Sequence, residues 1–558
     1  MEESHCKRMN KRMAQMKTHR ATYDAHWKDL ADNFSPRTSR YISQDRVDMQ
    51  QRGDKRNHKI INSSPIYAVQ TLSAGMMSGN TSPARPWFRL TTPDPQLAEF
   101  GPVKEWLHIA QQRMQEVFAR SNLYRVLPMI YRDLAIWGPS CTIAVESDRN
   151  VVHFIHLDIG SYWLAQSNRQ SVDTVYREFG LTVRQIVQEF GEDNVSERIR
   201  NMYRNGQYET WEPVCHAIEP DGDKWESIYW ERGATDKPLG ERYFSTNPIL
   251  APRWSLSGED IYGESPAMTA LGDARALQLK ELRKQEAIDI MVKPPLMGPT
   301  SLRGQAASLV PGDITYVDIQ QGMQGLKPIH DWRPEIAPLL EDIRKTEDLL
   351  NQAFYVNLFL MLANDDRSGV TAREVSERHE EKLLMLGPVI ERLNNELLSP
   401  LIDRTFSIMV ERSLPFWQGN IDGDPLLPPP PEELAGLDLK VEFVSIMAQA
   451  QKAVGIGAMD NLMNFVGAIA ALKPEALDKV DFDQAIDERA DMLGISPRII
   501  VPDDAVVSLR EQRAKAMQAQ QMAAAAQTAG SVAKDLSQAD MSGDSALTRA
   551  MDLAGGGR

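Results

Sequence analysis

The stretch SPAMTALGDARALQLKELRKQEAIDIMV, Ser265 to Val292, decides the fold of this chain. Ser265 offers a hydroxyl as N-cap, Pro266 supplies the preset φ of a first helical position, and Pro294-Pro295 ends the helix-compatible run. At a rise of 1.5 Å per residue this predicts a rod of about 40 Å. Residues 294–334 are rich in Gly and Pro, with a strand-like run from Ile314 to Ile319, and predict a compact β-containing insert. A second rod is expected from Glu335 to Leu362, with Leu339, Ile343, Leu350, Phe354 and Met361 along one side. Two rods separated by a compact insert should return antiparallel.

After the loop 363–370, Thr371 and Glu374 form a capping-box pattern for a third helix. Its stripe Leu383, Leu386, Ile390, Leu393, Leu397 and Leu401 is close to heptad spacing and fits intrachain core better than a seam between copies. Pro388 and Pro400 should kink or break that helix. The run Gly419 to Gly436, with four prolines from Pro428, is a linker; Val444 to Leu493 is a helical module; and the Ala/Gln-rich then Gly/Ser-rich sequence beyond Val507 is expected as a mobile tail.

Upstream, Met9, Met13, Met16, Tyr23, Trp27, Leu30 and Phe34 recur at helical steps, with Arg20 interrupting the stripe. This predicts an amphipathic helix docked on its own subunit, its basic face solvated. Thr38 to Lys59 is polar and loop-like, and helices are expected over Ser64–Ser78, Gly101–Arg120 and Leu123–Ile136. From Ser140 to Ser255 short β-branched and aromatic runs predict an α+β unit. One hairpin turns at residues 147–150 and another at 220–223, with a helix capped by Thr182 and Gln185 between them. The fold class expected is α+β, predominantly helical.

With 558 residues, 42% hydrophobic and 25% charged, the chain has ample material for a large composite core, which excludes a disordered or disulfide-stapled protein. Three widely spaced cysteines, Cys6, Cys141 and Cys215, suit a reducing compartment. Apolar runs are too short to span a bilayer and no signal peptide is evident, so a soluble, cytoplasmic chain is expected. The net charge is −15, yet residues 1–60 hold 14 basic and 8 acidic residues, a local +6, which leaves −21 on the rest. Most of such a surface repels DNA, so any contact with it must be local or transient.

Motifs with a mechanical reason for their spacing are missing. The sequence has no phosphate-loop motif, no G-x-G-x-x-G and no G-x-S-x-G, and His379-Glu380-Glu381 lacks the second His of a zinc helix. Cys215-His216 would project to opposite faces of a strand, which suits a structural role. Asp365-Asp366 and Asp503-Asp504 are carboxylate pairs short of the further ligands that a metal-dependent nuclease needs. Lys280, Arg283 and Lys284 share one face of the first rod and form a candidate DNA-facing basic patch, or an ordinary salt-bridged surface. Neither catalysis nor a cofactor or metal is expected. On residues alone a scaffold component without a channel and a nuclease remain alternatives.

Four stretches together resemble the portal, or head-to-tail connecting, proteins of short-tailed double-stranded DNA bacteriophages. They are Ile60 to Gly79 running on to Pro86-Trp-Phe-Arg-Leu90, Tyr262 to Met268 with its rod, Thr371 to Phe406, and Ala485 to Ala490. The resemblance implies a ring of about twelve copies at one capsid vertex, through which DNA is packaged and ejected. It implies a wing at 1–261, stem helices at 262–293 and 335–362, a clip at 294–334, a channel loop at 363–370, a kinked helix and linker at 371–436, and a crown at 437–506. Implied partners are further copies of the chain, passing double-stranded DNA, the terminase motor, a tail adaptor, and the major capsid and scaffolding proteins, with no membrane. The virion's portal vertex is the implied location, with assembly in the host cytoplasm. The channel-loop residues Asn364, Asp365, Asp366, Arg367, Ser368 and Gly369 combine acid, one cation and backbone freedom, and are expected to touch DNA without reading bases.

Overall fold

A computed structural model describes residues 5–42, 53, 55–94, 97–98, 100–234, 237–292, 296–297, 327–328, 335–363, 386–420, 423–434, 439–443, 459, 462–470, 473, 479–493, 501 and 503–538. The chain divides into two compact units, Met1–Thr91 with Trp106–Val480, and Thr92–Glu105 with Asp481–Arg558.

In the first unit the α+β region is antiparallel throughout. Strands β2 (Cys141–Ser147) and β3 (Val151–Leu157) form the first expected hairpin, in register from Cys141↔Leu157 to Ser147↔Val151. A five-stranded sheet runs in the order β4 (Tyr162–Gln166), β5 (Val172–Thr182), β6 (Trp211–Asp221), β7 (Lys224–Glu231), β8 (Gly240–Phe244). Its second hairpin is tighter than the sequence suggests, with Asp221 opposite Lys224 and Gly222 in the left-handed region at φ 61°.

Each face of this sheet takes a helical cover. Helix α1 (His5–Phe34) lays Cys6, Met9, Met13 and Met16 on Trp163, Tyr176, Cys215, Ala217, Ile228 and Trp230. Short helices over Val183–Phe190 and Glu197–Arg204 cover the opposite face through Val183, Ile186 and Ile199 against Val214. The first is held by the expected capping box, in which Thr182 accepts from the Gln185 amide and the Gln185 side chain accepts from the Thr182 amide.

Two expectations about α1 need correction. Arg20 does not interrupt the buried stripe but belongs to it, 1% exposed, donating to the carbonyls of Tyr162 and Gly160 and pairing with Asp24. Its guanidinium lies 4.7 Å from the Trp163 ring centre, so an aromatic face and backbone acceptors make burial tolerable. Nor is the basic face merely solvated. Arg12 pairs with Glu219 at 2.6 Å and Lys17 with Glu178 at 2.9 Å, so sheet carboxylates absorb much of the local positive charge.

Cys215 and His216 point to opposite faces, as alternation requires. Burial raises the Cys215 thiol to about 12, leaving it protonated and unreactive. His216 accepts from Arg177 Nε at 2.9 Å, lies 2.9 Å from Ser227 Oγ and stacks on Tyr229 at 3.9 Å. Burial, reinforced by the Arg177 charge, holds the imidazole well below its ordinary pKa, hence neutral. In the unfolded chain it protonates near 6.5, so its contribution to stability is complete above that pH and is lost as pH falls below it. His216→Gln should abolish a slope of about 1.4 kcal/mol per pH unit between pH 6 and 5. Identical pH profiles of the first thermal transition in variant and wild type would count against this.

Helices α2 (Ser64–Asn80), α3 (Gly101–Arg120) and α4 (Leu123–Trp137) follow the expected helical reading closely. Strand β1 (Phe88–Thr91) pairs with a strand at Lys440–Phe443, Phe88 opposite Phe443, so the start of the expected crown is stitched to the N-terminal part. In the second unit the stretch expected as a mobile tail is α-helical from Asp503 to Gln538, because Ala, Gln, Lys, Met and Glu are strong helix formers. Arg510 reaches Asp483 with both terminal nitrogens, at 2.6 and 2.8 Å.

Candidate functional site

The two rods and their ends form the candidate site. The first opens as expected: Ser265 Oγ accepts from the Met268 amide at 3.1 Å and donates to Ile136 O at 2.8 Å, so the cap also ties the rod to α4. A single turn, Pro266–Thr269, leads into helix α5 (Leu271–Val292), and the second rod begins as helix α6 (Ala337–Ala353). Leu296–Met297 pairs antiparallel with Lys327–Pro328, joining the end of α5 to the start of α6. Midway along, Lys280 Nζ meets Asp342 at 2.7 Å and donates to Thr346 at 2.8 Å. The rods therefore run antiparallel, as their spacing predicts. The expected strand Ile314–Ile319 lies outside the described residues.

A cross-brace from the start of α2 holds both rods at once. Gln278 accepts from the Ile61 and Asn62 amides at 2.7 and 2.9 Å, while Asn62 Nδ2 donates to Glu281 at 3.2 Å and Glu347 at 2.9 Å. Ser64 Oγ donates to the same Glu347 oxygen at 2.9 Å. Ile60–Ser64, the start of one of the stretches that carry the resemblance, is thus a clasp; its partners lie more than 200 positions away and left no local signal.

The candidate basic patch is not a row of free cations. Besides the Lys280 pair, Arg283 meets Glu286 at 2.6 Å and Lys284 is paired with Glu281. Apolar groups do stand out along the rods: Leu279, Ile290, Met291 and Val292 on α5 and Leu340 and Leu349 on α6 are exposed in the single chain, Val292 by 70%.

The second rod is not continuous to Leu362. Its helix ends at Ala353, Tyr355 adopts φ 55°, and a separate helix α7 runs from Val356 to Ala363. A left-handed residue other than Gly carries a local cost, which neighbours must over-determine. Phe354 is fully buried 5.5 Å from Phe34, and Tyr355 stands 6.3 Å from Trp254, so aromatic anchors hold the break. Beyond it, Phe359 presses its ring onto Gly75 of α2, where any Cβ would overlap it. The break thus redirects the chain just before Asn364–Gly369, the candidate channel loop, which lies outside the described residues, as do His379, Glu380 and Glu381.

Leu386, Ile390, Leu393, Leu397 and Leu401 are each at most 2% exposed in the single chain, which makes that stripe intrachain core. Pro400 produces a π turn at Asn394–Leu398 ahead of helix α8 (Ser399–Trp417) where a kink or break was expected. Lacking an N–H, Pro400 cannot continue the i→i−4 ladder, and the wider turn accommodates the gap. Glu396 sits in that turn and takes Arg253, 2% exposed, through Nη2 at 2.8 Å, Nε at 3.2 Å and the backbone amide at 2.9 Å. Sequence reading missed Arg253, Gly75 and Tyr355; only the small residues around Gly75 hinted at a close approach.

Among the described residues no group of three or more His, Cys, Asp or Glu converges as a metal would require, and no helix is long and apolar enough to cross a membrane. Asp503 and Asp504 open the helix Asp503–Gln538.

Comparison with known proteins bears on what this frame is for. The family described as "Bacteriophage head to tail connecting protein" matches residues 6–501. The chain is 46% identical to the "Portal protein" of Salmonella phage epsilon15, across 100% of this chain and 99% of that one. It is 43% identical to the "Probable portal protein" of Bordetella phage BPP-1, across 98% of each. A solved structure titled "Neck of empty GTA particle computed with C6 symmetry" aligns with TM-score 0.33 and 11% identity, over 73% of this chain and 86% of that one.

Proposed function

The chain belongs to the family of bacteriophage head-to-tail connecting proteins, and from that premise we propose how it serves as a phage portal. Copies of it form a ring of about twelve, each contributing one rod pair to a stem around an axial channel. The observation that carries this reading is the antiparallel pair α5 and α6, closed by a two-strand ladder and lined with exposed Leu, Ile, Met and Val that one copy leaves uncovered. Neighbouring copies would bury those side chains, each contributing about 1.5–3 kcal/mol when fully covered.

On this reading residues 1–261 are the wing and 294–334 the clip that meets the terminase motor and later a tail adaptor. Residues 437–506 are the crown, and capsid and scaffolding proteins surround the ring at one vertex, with assembly in the host cytoplasm. Double-stranded DNA passes through the channel without base readout. Residues 364–369 touch it there: Asp365 and Asp366 repel phosphate, while Arg367 makes brief contacts. Lys280, Arg283 and Lys284, each already holding a carboxylate, add only weak attraction, as suits a conduit that must release its cargo.

Electron microscopy of the purified chain should yield rings with an open axis, and persistent absence of any ring would sink the reading. Replacing residues 364–369 by a Gly/Ser loop should leave rings intact and impair DNA packaging or retention. Unchanged packaged-DNA yield and retention would remove the loop from the mechanism while leaving the ring.

A further inference from the structure

Between the end of α1, Gly53, residues 55–57, α2 and α4 lies a cavity of about 510 Å³ that the channel reading does not use. Phe34 and Val69 help form its apolar wall, and Arg37, Lys55, Arg56 and Arg132 line it. No carboxylate is among its described lining residues. In a chain of net charge −15, four cations on one cavity are an accumulation that folding stability alone does not explain.

On the sheet and the rods, Arg12, Lys17, Lys280, Arg283 and Arg253 each face a carboxylate within 4 Å. Here, among the described residues, Arg37 and Lys55 have no ion-pair partner and are exposed, while Arg56 has only the Ser39 hydroxyl at 3.4 Å. Arg132 reaches Asp133 only at 3.9 Å, and that carboxylate, 3% exposed, is engaged at 3.1 Å by His156. Arg132 Nε is enclosed without a hydrogen-bond partner. The Arg132 side chain as a whole is 41% exposed and lines the same cleft, so its charge is open to a ligand there.

We propose that this cleft binds phosphate groups through Arg37, Lys55, Arg56 and Arg132, which line it. Four cations on one cleft, with no carboxylate among its described lining residues, suit a multiply charged or repeated phosphate better than a single carboxylate. The source is either the backbone of DNA or free phosphate, and both present the same chemistry. The proposal does not rest on the channel loop.

The test uses the full-length, assembled protein and the double variant Arg37→Gln/Lys55→Gln, whose side chains have no partners to lose. Binding of a short random-sequence duplex is followed by fluorescence anisotropy across salt, and binding of inorganic phosphate by calorimetry. The double variant should lose phosphate binding, weaken duplex binding about ten-fold and reduce the log–log salt slope by about two, one for each removed cation. Loss of phosphate binding with unchanged duplex affinity identifies free phosphate as the source. Duplex and phosphate binding equal in variant and wild type overturns the proposal. So does an acidic peptide that binds the cleft when phosphate does not. Replacing residues 364–369 should leave binding of inorganic phosphate unchanged, so a failed loop and a failed cleft are distinguishable.

Discussion

Arg253→Met should destabilise the first unit by about 3–5 kcal/mol, the range for breaking one side of a buried ion pair. Arg253 is 2% exposed, and its guanidinium spans Glu396 in the π turn, the Gln166 side chain at 3.1 Å and the Gln170 carbonyl at 2.7 Å. Removing it leaves the Gln166 amide oxygen and the Gln170 carbonyl without that donor, and leaves Glu396 held only by Arg392 at 3.0 Å and by the backbone amide of position 253. The loss should appear as a lower first thermal transition and faster proteolysis within residues 386–417. Arg253→Lys keeps the charge but not the fork, and should recover only part of it. Arg253→Met/Glu396→Leu should recover none of it, because Glu396 keeps Arg392 in the single variant and its removal would strip Arg392 of that partner as well. A single Arg253→Met variant within 1 kcal/mol of wild type would mean the pair is not what holds the π turn.

Gly75→Val should have the second large effect, through shape and not charge. The Phe359 ring occupies the space of a Cβ at Gly75, so a branched side chain forces α7 off α2. Overpacking of this kind costs about 1–3 kcal/mol, and more where neighbours cannot shift. Because α7 ends at Ala363, directly before the candidate channel loop, we expect packaged-DNA yield to fall while rings still form. Phe359→Ala in the Gly75→Val background should restore part of that yield. Equal yields from Gly75→Val and wild type would show that α7 tolerates displacement.

The parts legible in the sequence are those set by neighbours in the chain. Ser265 before Pro266, Thr182 with Gln185, and the turn residues at 147–150 and 220–223 each satisfy or redirect backbone locally, and each is found where its pattern puts it. The methionine stripe of α1 was equally readable, since a buried face needs only period 3.6. Hidden features depend on partners distant in sequence. Arg20 reads as a break in that stripe until Tyr162 and Gly160 present carbonyls to it. Lys280, Arg283 and Lys284 share a face at helical spacing, but the Lys280 charge is answered by Asp342, 62 positions on. Nothing in the run Phe354-Tyr355-Val356 announces a left-handed residue, because Phe34 and Trp254 hold that break from outside.

The π turn at Asn394–Leu398 also acts as a counter. It holds one residue more than an α-helix of the same advance, so the surplus residue is absorbed in the wider turn and the helix on either side keeps one rotational phase. Deleting one residue within the turn should therefore leave Leu386, Ile390 and Leu401 in the core, whereas the same deletion between Ile390 and Leu393 should swing Leu386 and Ile390 out by about 100°. The width of this one turn, more than any side chain in it, keeps the leucines before and after it on a single buried face.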